Sequence, residues 1–127
     1  MGAGASALFF TFSQDIFEIS LDLNGISDIE SETFMNAVSK WQSVIVGDLP
    51  DVQFSQEMID SSLCGNLPAK VDDLFVCAWY TDIDGVDGVL GWAGPEYVRS
   101  DSLLPITGVM EVSFCAYGYE MRCSALR

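Results

Sequence analysis

The stretch Leu74-Phe75-Val76-Cys77-Ala78-Trp79-Tyr80 decides the fold class of this chain. Seven consecutive apolar residues without alternation indicate a strand that is covered on both faces, which is typical of an interior strand in a largely parallel sheet. The elements that flank this stretch determine what kind of sheet it belongs to.

Upstream of this strand, the sequence predicts one strand and one long helix. Phe17–Leu23 alternates apolar and polar residues, as a half-buried strand does, and Asn24-Gly25 ends it. Ser27-Asp28-Ile29-Glu30 is a capping box that begins a helix, and Gly47 is well placed to end it. Apolar residues between them recur at helical spacing and predict a core-facing stripe with Trp41 as a core anchor. The stripe comprises Phe34, Ala37, Val38, Trp41, Val44 and Ile45.

The rest of the chain predicts further strands joined by loops. A weak strand is expected at Val52–Ile59, within an irregular stretch that ends near Pro68. After the central strand, a loop rich in Gly and Asp runs from Asp82 to Gly88. Val89–Ala93 then predicts a short strand, which Gly94-Pro95 ends.

The final strand is predicted at Gly108–Phe114, after a loop at Tyr97–Pro105. The order of these elements predicts an α/β fold with one long helix and a mixed, mostly parallel sheet of about 4–5 strands. A chain of 127 residues fits a single domain.

The charge of the chain is strongly negative, with 19 acidic residues against 5 basic ones and a formal net charge of −14. Such a surface repels phosphate backbones, which excludes nucleic acid as a partner, and it suits cations or basic partners. No apolar run approaches the ~18–20 residues of a membrane span.

The chain contains no histidine. It therefore lacks the commonest zinc ligand and the side chain most used for acid–base catalysis near neutral pH. No Ser–His or Cys–His nucleophile pair can be assembled from this sequence.

Four cysteines occur at positions 64, 77, 115 and 123, too far apart for a Cys-x-x-Cys metal site. Cys64 lies in a loop of small and polar residues, and Cys77 lies in the apolar strand. A disulfide between these two is expected in an oxidising compartment, and the alternative is two unpaired thiols.

Several stretches resemble leishmanolysin-like zinc peptidases of the metzincin group. They are Phe34–Pro50, Val71–Cys77, Asp82–Ser100 and Leu104–Glu111. The resemblance covers roughly residues 16–113, and Asp84–Pro95 is its most specific part because several glycines and a proline recur in fixed order.

The resemblance implies a domain that stops short of the catalytic zinc. In the family, a strand like Gly108–Ser113 leads into a helix with the motif H-E-x-x-H, whose histidines hold zinc. Here the likeness ends near Ser113, so zinc belongs only to full-length family members. We therefore expect a poorly ordered N-terminal extension (1–15), an incomplete metzincin-like N-terminal subdomain (16–113) and a divergent tail (114–127).

Three functional interpretations follow. The first is a truncated, catalytically silent fragment of a leishmanolysin-like endopeptidase, and the second is an acidic binding module. The third is an enzyme with a carboxylate pair among Asp72, Asp73 and Glu96, which is disfavoured because adjacent residues of a strand point to opposite faces.

The resemblance also implies a peptide-binding strand. The family strand that corresponds to Val89, Leu90, Gly91, Trp92 and Ala93 is the antiparallel edge of the sheet and borders the cleft, where an extended peptide adds to it. The alternative is that Gly91 and Gly94 serve turns and that Trp92 packs in the core.

The loop before this strand is a candidate site for structural calcium. It is similar to the calcium loop of related metzincins, with Asp84 and Asp87 as ligands and with Gly85 and Gly88 turning carbonyl oxygens inward. The alternative is an acidic turn that is merely solvated.

The resemblance suggests a secreted or surface protein, although no convincing signal peptide precedes the domain. Met1–Ser6 instead fits the N-myristoylation pattern with Gly2 as acceptor. Because the missing helix would cover the sheet, self-association through uncovered sheet faces is expected as well.

Overall fold

The computed structural model describes residues 16–114, which form a mixed four-stranded sheet, a two-stranded sheet and two helices. The elements in chain order are β1 (Ile19–Asn24), α1 (Asp28–Val44), β2 (Val52–Gln53), α2 (Gln56–Ser61), β3 (Lys70–Val71), β4 (Leu74–Thr81), β5 (Gly91–Val98) and β6 (Pro105–Ser113). The α/β class and the mixed sheet are confirmed, and there are two helices where the sequence predicted one. The expectations for Gly2, for the N-terminal extension and for residues 115–127 of the tail lie outside the described residues.

The four-stranded sheet has the order β1-β4-β6-β5. β1 and β6 run parallel to β4, and β5 runs antiparallel to β6. The apolar strand β4 is thus interior, with Leu74 opposite Ile19 on one side and Phe75 opposite Thr107 on the other. Within residues 16–114, β1 and β5 are the two edges of this sheet.

The hydrophobic core lies on the face of β4 that carries Phe75 and Cys77, beneath α2 and the two-stranded sheet. Its buried members are Phe54, Cys64, Leu67, Val71, Phe75, Cys77, Ile106 and Val109. Burying a side chain as large as Phe75 contributes about 1.5–3 kcal/mol. The sheet is therefore anchored mainly through this face.

Helix α1 begins with the predicted capping box. The Ser27 hydroxyl accepts the N–H of Glu30, and the Glu30 carboxylate accepts the N–H of Ser27. The helix ends at Val44, three residues before Gly47. At its end, the N–H of Ile45 donates to the carbonyl of Trp41, but Ile45 itself is extended.

The packing of α1 on the second face of the sheet is loose. No residue of α1 is buried, and Trp41 is 57% exposed, so the prediction of Trp41 as a core anchor is wrong. The reason is a groove of about 310 Å³ between helix and sheet, which also leaves that face of β4 only partly covered. The groove is lined by Ile19, Leu21, Phe34, Ala37, Val38, Trp41, Ile45, Leu74, Val76 and Met110.

Two predicted elements upstream of β4 have different bounds in the structure. β1 begins and ends later than the predicted strand Phe17–Leu23. Only Val52–Gln53 of the predicted strand Val52–Ile59 forms a strand, and α2 follows. The Ser55 hydroxyl caps α2 by accepting the N–H of Met58 at 3.3 Å, a local bond that favours a helix over a strand.

The two downstream strands are longer than predicted. β5 starts at Gly91, continues through Gly94-Pro95 and ends at Val98. Proline is tolerated in an edge strand where its missing N–H would face outward. β6 starts at Pro105, so the predicted loop Tyr97–Pro105 shrinks to a turn at 99–104.

Candidate functional site

The outer edge of β5 is open in the structure. On its inner side, the N–H of Ser113 donates to the carbonyl of Leu90 at 2.8 Å. Residues of an antiparallel pair alternate between those that bond to the partner strand and those that face away from it. The N–H and C=O groups of Gly91 and Ala93 therefore point away from β6, and no strand of residues 16–114 pairs with them.

The other edge of the sheet is partly closed by side chains. At the start of β1, the N–H of Ile19 donates to Gln42 Oε1 on α1 at 2.8 Å. The N–H of Glu18 donates to Asp73 Oδ2 at 2.7 Å. The two edges therefore differ at their starts: side chains accept the first N–H groups of β1, whereas no described side chain is bonded to the outward backbone groups of Gly91 and Ala93.

Three of the five residues named for the edge strand lie in β5, and Val89 and Leu90 precede it as exposed residues. Gly91 and Gly94 are strand residues rather than turn residues. A Cβ on Gly91 would come within 2.8 Å of the carbonyl oxygen of Glu111, so this position needs a glycine for close approach of β6. Trp92 is 43% exposed and does not belong to the core.

Trp92 makes a polar contact that sequence reasoning missed. Its indole N–H donates to Glu111 Oε2 on β6 at 2.6 Å, and the two residues are register partners. The only signal in the sequence was a single acidic residue within an otherwise uncharged strand. The pair holds an aromatic ring and a carboxylate together beside the open edge.

The loop before β5 uses its carboxylates to hold its own backbone. Asp82 Oδ1 accepts the N–H of Gly85 at 2.8 Å, and Asp84 Oδ1 accepts the N–H of Val89 at 2.6 Å. Gly85 and Asp87 have positive φ angles of 89° and 63°. A Cβ at Gly88 would displace the Asp84 carboxylate from its present position. The calcium site at Asp84 and Asp87 stays a prediction.

The described residues do bring three carboxylates together elsewhere, at Asp48, Asp72 and Asp73, with one oxygen of each within 4.8 Å of the others. The expectation that Asp72 and Asp73 point to opposite faces is wrong, because both lie in a bend between β3 and β4 rather than in a strand. Asp73 is fully buried, and its oxygens accept the N–H groups of Glu18 and Leu49 at 2.7 and 2.6 Å. This carboxylate therefore ties two chain segments to the sheet.

Arg99 is buried beside this bend and was also missed. Its guanidinium donates to four backbone carbonyls, those of Pro50, Asp72, Asp73 and Pro105, at 2.7–3.2 Å. A buried cation that satisfies carbonyls in this way stabilises the connections between elements. The cluster around Asp73 thus has a structural explanation.

Asp72 has a perturbed acidity. A hydrogen bond to Asp51, followed by burial and the charges of Asp73, Asp51 and Asp48, raises the pKa of Asp72 from 3.8 to about 6. A hydrogen bond to Lys70, with which it forms an ion pair, lowers the pKa of Asp51. Asp72 therefore stays protonated to a higher pH than an ordinary aspartate does.

The segment after α2 is fixed to the sheet by a disulfide and by Glu96. Cys64 and Cys77 form the predicted disulfide, with their Cα atoms 5.7 Å apart. The Glu96 carboxylate accepts the Ser62 hydroxyl at 2.8 Å and the N–H of Leu63 at 2.5 Å. Glu96 is therefore far from free to pair with Asp72 or Asp73 in acid–base chemistry.

Comparison with protein-family models, with curated proteins and with solved structures finds no match to this chain. The resemblance to leishmanolysin-like peptidases stays a prediction that rests on the residues quoted for it. Within the described residues, no helix is long and apolar enough to cross a membrane.

Proposed function

We propose that this chain is a peptide-binding module that takes up an extended peptide along the outer edge of β5. The observation that carries the proposal is the pair of outward-facing backbone sites at Gly91 and Ala93, on an edge that no strand of residues 16–114 covers. Strand addition of this kind draws its affinity from main-chain hydrogen bonds. The antiparallel direction of β5 is the one that the family resemblance implies, and it supports the proposal.

We also propose that the chain does not cleave the bound peptide. No histidine is available in it to hold zinc or to act as a base. Two carboxylates considered as replacements for a histidine have other partners, since Asp73 accepts two backbone N–H groups and Glu96 accepts hydrogen bonds from three donors. In this proposal the chain binds a peptide as the substrate-binding part of a peptidase does, but it does not hydrolyse it.

The site can be tested with a pair of substitutions at one position. Ala93→Pro removes an N–H that points away from β6, so it blocks an added strand and spares the sheet. Ala93→Val is the matched control, because it retains the N–H and suits a strand. The probes are heptapeptides that carry fluorescein on the N-terminus, fluoresceinyl-Thr-Thr-Val-Xaa-Val-Thr-Thr-amide, in which Xaa is arginine, glutamine or glutamate.

We expect at least one probe to bind the native chain and the valine variant but not the proline variant, as measured by fluorescence anisotropy. Mass spectrometry should recover the probe intact, with zinc or without. The proposal fails if no probe binds, or if Ala93→Pro leaves binding unchanged. Sedimentation that shows a dimer abolished by Ala93→Pro would assign the edge to a second copy of the chain and would also overturn it.

A further inference from the structure

The tryptophan and carboxylate beside the open edge form a row across three strands. Trp79 on β4 and Trp92 on β5 are both register partners of Glu111 on β6. Register partners place their side chains on the same face, so Glu111 lies between two indoles. The carboxylate accepts the N–H of Trp92, which is one of the roughly four hydrogen bonds that a carboxylate can accept.

The charge around this row is negative on balance. Of the three basic residues in the described part of the chain, Arg99 is buried against carbonyls and Lys70 is paired with Asp51. Lys40 is exposed on α1, which packs on the opposite face of the sheet. The loop that leads into β5 adds Asp82, Asp84 and Asp87, all exposed. A chain with a net charge of −14 attracts cationic partners and repels anionic ones.

We propose that the peptide bound by β5 carries an arginine or lysine opposite Trp92, held by the indole face of Trp92 and the carboxylate of Glu111. This inference rests on the proposed function and names the class of peptide for that site. Trp92 is exposed enough to be covered by an incoming side chain, and an aromatic face attracts a cation placed over it. Arginine fits best, since its planar guanidinium stacks on aromatic rings and pairs with carboxylates.

The geometry of strand addition places the basic side chain correctly. An added antiparallel strand bonds to the outward groups of Gly91 and Ala93, so its residue opposite Trp92 is in a non-hydrogen-bonded pair, where side chains are closest. That side chain projects on the face of Trp92 and Glu111, whichever way the peptide runs. Glu111 lies two strand spacings, about 10 Å, from the added residue, and an arginine or lysine side chain together with the side chain of Glu111 can span that distance.

The opposite face of the added strand meets different chemistry. Gly91 and Ala93 project there, next to Val112 and Met110 of β6. This face offers small and apolar side chains, so the residues on either side of the basic residue should be apolar. The recognised pattern is therefore one basic residue between two apolar ones in an extended peptide.

The test compares the arginine, glutamine and glutamate probes on the native chain and on two variants of equal charge change. Glu111→Gln removes the charge and keeps an oxygen for the Trp92 N–H. Glu32→Gln is the matched control, on exposed α1. We expect the native chain to bind the arginine probe about tenfold more tightly than the glutamine probe, and the glutamate probe most weakly.

The arginine preference should fall to about threefold or less in Glu111→Gln and stay near tenfold in Glu32→Gln. If Glu111→Gln and Glu32→Gln show the same preference for the arginine probe over the glutamine probe, the preference comes from overall charge and the inference is overturned. If circular dichroism shows that Glu111→Gln is unfolded, Trp92→Leu takes its place. The arginine preference should then fall in Trp92→Leu, and an unchanged preference in that variant overturns the inference. If the probes bind, Ala93→Pro abolishes the binding and arginine is not preferred, only this inference is refuted. If no probe binds, the proposed function is refuted.

Discussion

Trp92 on the edge strand β5 donates its indole N–H to the carboxylate of Glu111 on β6 across 2.6 Å. This bond joins residues 19 positions apart in the sequence and links the edge strand to its neighbour through side chains as well as backbone. The indole of Trp92 stays 43% exposed at the edge of the sheet. The same pair of strands makes a second close approach at Gly91.

Gly91→Ala should destabilise the protein by about 1–3 kcal/mol, the usual cost of forcing extra atoms into a packed site. The new Cβ would lie 2.8 Å from the carbonyl oxygen of Glu111, a backbone atom that cannot move without shifting β6. Gly94→Ala is the control in the same strand, because nothing lies within 4 Å of its Cβ position. Urea unfolding measures both, and equal stability of the two variants would contradict the close approach.

Asp73→Asn should reduce the free energy of unfolding by about 2 kcal/mol or more. Both carboxylate oxygens accept backbone N–H groups, so the amide nitrogen of asparagine would face a donor from Glu18 or Leu49. Asp101→Asn is the control, since Asp101 is exposed and accepts a single N–H from Ser102. Urea unfolding should show a clearly larger loss of stability for Asp73→Asn than for Asp101→Asn. An Asp73→Asn variant as stable as the native chain would refute the structural role of this carboxylate.

The stability contributed by Asp72 should fall as pH rises from about 4 to about 6. Its pKa is raised from 3.8 to about 6, so the folded chain binds more protons than the unfolded chain within that window. Asp72→Asn should therefore lessen the loss of stability between pH 4 and pH 7, while Glu32→Gln should not. Asp51 acts in the opposite direction because its pKa is lowered, and its contribution is lost as pH falls below 3.8. Urea unfolding at pH 4 and pH 7 measures the loss of stability, and a loss unchanged by Asp72→Asn would contradict the raised pKa of Asp72.

Replacing Cys64 and Cys77 together by serine should cost about 3 kcal/mol, because the bond closes a short loop that the unfolded chain would otherwise explore freely. The residues are 13 apart in the sequence. Non-reducing mass mapping of protein made in an oxidising compartment should recover the linked peptide. Free thiols at both positions would show that the bond does not form.

Calcium should raise the melting temperature if the loop from Asp84 to Gly88 holds the ion. A cation that binds only the native loop stabilises it by about 2.7 kcal/mol at a hundredfold excess over Kd. Asp84→Ala with Asp87→Ala should abolish the rise. An equal rise in the double variant would indicate general screening of the −14 charge, and no rise at millimolar calcium would leave the two aspartates with a purely local role.

The family resemblance and the pattern of free edge groups lead to the same strand by different arguments. The resemblance pointed to residues 89–93, and the hydrogen-bond alternation selects Gly91 and Ala93 within β5. The sequence placed the strand's end at Gly94-Pro95, since these residues usually break strands, but at an edge a proline N–H is not needed.

The sequence by itself determined the central strand β4 and the capping box of α1. Both depend on short-range patterns, namely an apolar run and a hydroxyl three residues before an acid. The sequence favoured a bond between Cys64 and Cys77 but left two unpaired thiols as the alternative, and the structure brings the two residues together. Only the tertiary structure decided the roles of Trp41, Asp73, Arg99 and Glu111. Their partners lie far away in the sequence, and the apolar stripe of α1 carries no information about how closely the helix approaches the sheet. Packing distance and long-range hydrogen bonds arise only when the elements assemble, so no local pattern encodes them.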